Sequence, residues 1–79
     1  KGAVRTAVPT HAAAFTVTLG DARVRIIVRG EGKRLALTAV CSSRHADIVR
    51  LALAHASLGL RMCGALVDTT LHCEDSAYD

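Results

Sequence analysis

Apolar and polar residues alternate along the first half of the chain, and the period then lengthens. Phe15, Val17 and Leu19 alternate with Thr16 and Thr18 before Gly20-Asp21, which predicts a short half-buried strand closed by a turn. Ala22, Val24, Ile26 and Val28 then alternate with Arg23, Arg25, Ile27 and Arg29. That pattern predicts a longer strand with one apolar face and one face lined by arginine. Gly30-Glu31-Gly32-Lys33 supplies two residues tolerant of positive φ between β-rich runs, as a hairpin loop requires. Leu35, Leu37, Ala39 and Cys41 resume the inward positions, with Arg34, Ala36, Thr38 and Val40 outward. Residues 22–41 therefore read as one antiparallel hairpin.

After Cys41 the spacing becomes helical. Ile48, Leu51, Ala52, His55, Gly59 and Met62 share one face, and Asp47, Arg50, Ala54, Ser57 and Arg61 form the opposite stripe. The expected helix is capped by Ser42 or Ser43, carries Asp47 near its positive end, and stops at Gly59. It buries the first stripe, with His55 where a leucine would be usual. Ala65, Val67, Thr69, Leu71 and Cys73 alternate with Leu66, Asp68, Thr70 and His72 in a last strand.

The predicted order is β-β-β-α-β. A helix-length crossover joins the last two strands in parallel, giving an α+β two-layer sandwich. The helix packs on one sheet face, and Arg23, Arg25, Arg29 and Arg34 occupy the other. Residues 1–14 hold the only proline and show neither period, so they read as a flexible linker or the tail of an upstream region. The compact domain is expected over 15–73, with a polar C-terminal tail over 74–79. A chain that opens on Lys1 without an initiator Met is expected to be a piece of a longer protein.

Composition narrows the functions available. The 51% apolar content is carried by Ala, Val and Leu, and aromatic residues make up only 3%, which argues against nucleic-acid binding through stacked rings. The formal net charge of +3 mildly favours acidic partners. No apolar run reaches the roughly 18 residues a membrane span needs, so no membrane insertion is expected. Cys41, Cys63 and Cys73 are odd in number and irregularly spaced, as free thiols are.

Candidate chemistry is sparse. Cys41 with His45, and His72 beside Cys73, invite a zinc site, but zinc ligands usually come in tight pairs, and neighbours on a strand point to opposite faces. Gly30 to Lys33 superficially resembles a phosphate loop, yet a strand follows where that motif needs a helix N-terminus. His55 reads as a core histidine, with a pH-sensitive latch as the functional alternative. No acid, base and nucleophile converge, so no catalytic residue, cofactor or metal is expected. The arginine face is the most suggestive polar feature, and its economical use is to meet a protein with an acidic surface.

Several of these residues carry a resemblance. Leu19-Gly20, the alternating Val24, Ile26 and Val28, the glycine hairpin, Leu35, Leu37 and Ala39, then Leu51, Gly59-Leu60, Met62, Ala65 and Val67 resemble the C-terminal domain of flagellar hook-length control proteins and their injectisome needle-length counterparts. The resemblance spans residues 15–73. It departs from the family at Phe15–Thr18, where prolines and acidic residues are common, and at His55, where leucine is usual. It implies a type III secretion substrate-specificity switch domain that is not an enzyme. Such a domain acts in the bacterial cytoplasm at the export gate, or is itself secreted, and ends export of hook, needle or rod subunits so that later substrates follow. The implied partner is the cytoplasmic domain of an export-gate component. The implied contact surface is the arginine side (Arg23, Arg25, Arg29, Arg34) or the segment around Leu60 and Val67. Exposed strand edges also allow a weak homodimer. The alternative is a small regulatory module binding an anionic ligand through Arg23, Arg25, Arg29 and Lys33.

Overall fold

The structure, a computed structural model, describes residues 11–75. Four strands form one sheet in chain order: β1 (His11–Leu19), β2 (Ala22–Glu31), β3 (Arg34–Cys41) and β4 (Leu66–Cys73). β1 to β3 are antiparallel neighbours, and β4 runs parallel to β3. Between β3 and β4 the chain makes a 3-10 turn at Ser43–His45 and the helix α1 (Ala46–Met62). The β-β-β-α-β order and the helix packed on one sheet face are those expected from the sequence.

Turn chemistry sets the strand register. Leu19 pairs with Ala22 and Glu31 with Arg34, so each hairpin turns in two residues. Each first turn residue is a glycine at positive φ, Gly20 at 64° and Gly32 at 62°. A glycine at that position suits the tight turns whose twist matches antiparallel strands. The inward set of the sheet is then Ala22, Val24, Leu37, Ala39, Cys41 and Val67, all buried. Leu19, Ile26, Val28, Leu35 and Leu71 pack around them.

The helix departs from expectation in its face and in its end. Its buried residues are Val49, Leu53 and Ser57, with Leu60 packed against the core. The predicted core stripe points outward instead: Ile48, Leu51 and Met62 are exposed large apolar residues, and His55 and Gly59 are exposed too. Only Ala52 of that set is half-buried. His55 is therefore not a core histidine. The cause is that α1 carries two apolar stripes, and the one that meets the sheet is the one poorer in large side chains.

The helix also runs through Gly59, which has no positive φ, and ends at Gly64, where φ is 97°. The amide of Ala65 donates to the Leu60 carbonyl (3.1 Å) and that of Gly64 to the Arg61 carbonyl (2.9 Å). This pair of bonds is the Schellman stop, in which a left-handed glycine lets the chain reverse and satisfies the last carbonyls. Arg61, placed on the solvent stripe by its spacing, instead donates from Nη2 to the Val67 carbonyl at 3.0 Å and ties the helix to β4.

Both edges of the expected domain move. β1 begins at His11, so residues 11–14 belong to the sheet rather than to a linker; the rest of the expected linker lies outside the described residues. At the other end, Glu74 donates its amide to the Cys41 carbonyl (2.8 Å). Asp75 accepts bonds from Ser42 Oγ (2.9 Å), the Ser43 amide (2.9 Å) and Ser43 Oγ (2.6 Å). The start of the helical segment is thus capped by a carboxylate that follows β4, not by Ser42, which makes no capping bond. Residues 76–79 lie outside the described residues.

Candidate functional site

The sheet has two unlike faces. On the outer one, Arg23, Arg25 and Arg29 share the outward side of β2 and are exposed; the pleat sets Arg23 and Arg25 about 7 Å apart and Arg29, beyond Ile27, about 13 Å from Arg25. Their cross-strand neighbours are small or uncharged: Thr18 beside Arg23, Thr16 and Val40 beside Arg25, Ala12 and Ala36 beside Arg29. None of the three, nor Arg34, is ion-paired with a described carboxylate. The ion pair among the described residues is Asp47–Arg50 on the helix, at 3.5 Å. Guanidinium groups left unneutralised present forks that match carboxylate or phosphate oxygens in pairs.

The four predicted arginines do not form one cluster. Arg23 and Arg25 line an open hollow of about 300 Å³ at one end of the sheet, shared with Thr16, Ser42, Arg44 and Glu74. Arg29 and Arg34 line another hollow at the far end with Glu31 and Asp68. Arg44 is thus a member of the first group that spacing along the strands did not reveal, because it enters from the 3-10 turn. Lys33 sits in the β2–β3 turn and lines a different hollow with Cys63 and Gly64. An anion held by Arg23 and Arg25 would not reach it, which corrects the expected Lys33 contribution.

Val67 is buried, and Leu60, half-buried, packs against the same core while lining the edge of an apolar hollow on the inner face, so both side chains help hold α1 and β4 onto the sheet.

The groups considered for catalysis or metal binding are dispersed. Cys41 and Cys73 are register partners on the inward side, whereas His72 pairs with Val40 on the outward side. Burial, followed by the neighbouring Cys73, pushes the Cys41 thiol above its ordinary value, which disfavours the nucleophilic thiolate. All three cysteines are free. Among the described residues no three His, Cys, Asp or Glu side chains come together as a metal cage would require, and no helix is long and apolar enough to cross a membrane.

On the inner face the helix covers only part of the sheet. It packs on β4 and β3, which leaves a hollow of about 270 Å³ between its flank and β1, lined by Phe15, Val17, Ile26, Val28, Ala52 and Ala56 among others. The lining is almost wholly apolar, so it suits an apolar occupant rather than an ion.

No family model matches the chain, and no curated protein matches it. Its fold, however, is that of the PscP SS domain, known from a crystal structure. The two superpose with a TM-score of 0.66 at 20% identity, over 91% of this chain and 80% of that one. At that identity the likeness is one of fold, and it covers nearly the whole chain.

Proposed function

We propose that this chain is a substrate-specificity switch domain of a bacterial type III secretion apparatus, a regulatory interaction module rather than an enzyme. The observation that carries the proposal is the fold shared with the PscP SS domain over 91% of the chain. It coincides with the leucine-glycine and glycine-leucine positions by which the sequence resembles hook-length and needle-length control proteins. In this reading the domain works in the cytoplasm at the export apparatus and contacts the cytoplasmic domain of an export-gate component. It thereby ends export of needle, hook or rod subunits and permits later substrates.

The surface that meets the gate is the outer sheet face, with Arg23, Arg25 and Arg29 directed at acidic groups. Unpaired charge there costs little in water and gains Coulomb energy only when a complementary surface arrives, so it favours a fast, salt-sensitive encounter. Titration of the chain against the isolated cytoplasmic export-gate domain tests this. Binding that weakens with added salt and is abolished in an Arg23→Glu, Arg25→Glu, Arg29→Glu variant of unchanged fold is expected. Absence of binding by the native chain, or binding indifferent to the charge reversal, contradicts it.

A second reading, a small module for an anionic ligand, is favoured by the hollow shared by Arg23, Arg25 and Arg44. Thermal stabilisation by phosphate or citrate, lost in Arg44→Ala, would support this alternative over the first.

A further inference from the structure

The inner face of the sheet has room for two helices, and among the described residues one lies on it. Strands lie about 4.8 Å apart, so four of them span nearly 20 Å, whereas one helix with its side chains is about 10–12 Å across. Helix α1 takes the β3–β4 half. Over the other half Phe15 is 49% exposed and Val17 37%, on a face where their register partners Ile26 and Val24 belong to or border the core.

The helix has a complementary surplus. Ile48, Leu51, His55, Leu58 and Met62 recur at spacings of three and four residues, the pattern of a helix seam that packs against another surface. The four apolar members are 50%, 60%, 57% and 80% exposed. At 100° per residue this seam lies roughly opposite Val49, Leu53 and Leu60, which face the helix's own sheet. A patch of large exposed apolar residues of this extent marks an interaction surface.

We propose that both features are satisfied by a second copy of this chain. Two domains meet inner face to inner face about a two-fold axis, each laying the outer seam of α1 into the bare β1 half of the other. The product is a three-layer sandwich with a sheet on each outside and two parallel helices side by side between them, the two-fold axis running between and along the helices. Such a contact is self-complementary, as a two-fold dimer requires: seam meets groove and groove meets seam. Lengths agree, since the 17 residues of α1 extend about 26 Å and the nine of β1 about 30 Å. The flank of α1 that borders the groove carries Ala52, Ala56 and Gly59, whose small size allows a second helix axis to approach within the usual 8–10 Å.

The chemistry matches as well. The groove is almost wholly apolar, and the seam's one polar member is His55. The sheet arginines lie on the opposite face, so dimerisation leaves them pointing outward from both sheets. The dimer is thus independent of the export-gate contact.

Sedimentation equilibrium of the native chain across a concentration series tests the arrangement. A reversible dimer populated at about 100 μM is expected, with association weakened at least tenfold by either Leu58→Glu or Phe15→Glu. Both sites are exposed in one domain, so far-UV circular dichroism and monomer fold should be unchanged. His55→Leu, which removes the one polar group from the seam, tightens the dimer, and Arg25→Glu leaves it unaffected. A chain that stays monomeric at millimolar concentration, or a dimer indifferent to both Leu58→Glu and Phe15→Glu, overturns the proposal. The second result would move the contact to the β1 edge or to the thiols. A groove that binds the export-gate domain in place of a second copy also overturns it.

Discussion

Asp75 shows how much one residue outside every periodic segment can decide. Its carboxylate gathers Ser42 and both the amide and hydroxyl of Ser43, joining the end of the last strand to the start of the helical segment. Those bonds, the Ser43 hydroxyl foremost, hold its carboxyl below the ordinary value of 3.8. A depressed folded-state pKa means that the ionised group favours the native state. Its contribution is complete above the ordinary carboxylate range and is lost as pH falls through the lower folded value. The melting temperature of Asp75→Asn should therefore lie below that of the native chain near neutrality, and the gap should close in strong acid. Equal melting temperatures at pH 7 would show that the clasp contributes nothing. No spacing in the sequence predicts this contact, because a single Asp in a polar tail carries no period and its partners lie more than thirty positions away.

At the scale of elements, legibility followed contrast. β2 and β3 were readable because arginine or threonine alternates with Val, Ile and Leu between glycine turns, so only one register buries the apolar set. The start of β1 was not, since His11–Ala14 offers alanine at three successive positions and no difference between faces. Helix α1 failed in a more instructive way. It has two apolar stripes on opposite sides, and only the tertiary structure decides which one meets the sheet. Its end is ambiguous in sequence because Gly59 and Gly64 are equally plausible stops, whereas only Gly64 adopts positive φ. Substitution distinguishes them. Gly59→Ala meets no atom within 4 Å and should stabilise the helix by roughly 0.5–1 kcal/mol. Gly64→Ala forces a left-handed alanine and should destabilise by about 1–2 kcal/mol. Denaturant titration of both variants measures the difference, and a stabilising Gly64→Ala would refute the Schellman assignment.

At the scale of the whole molecule, the two sheet faces divide the work. The inner face holds the core and, over β1, an apolar groove; the outer face carries arginines with no described acidic partner. The candidate interaction residues on β2 were legible from alternation alone, because side chains an even number of positions apart on a strand share a side, as Arg23, Arg25 and Arg29 do. Arg44 was not, as it reaches the same hollow from a turn. Leu60 and Val67 enter the contact segment only through the resemblance; Val67 is buried, and Leu60 packs on the core and borders the groove.

The central claim is that this domain switches export specificity. Its most direct test is the secretion profile of the source bacterium after in-frame removal of residues 11–75 from the otherwise intact protein. Continued export of needle, hook or rod subunits together with loss of later substrates is the predicted result, restored by the native segment and not by the triple arginine-to-glutamate variant. Normal succession from early to late substrates in the deletion strain would contradict the account.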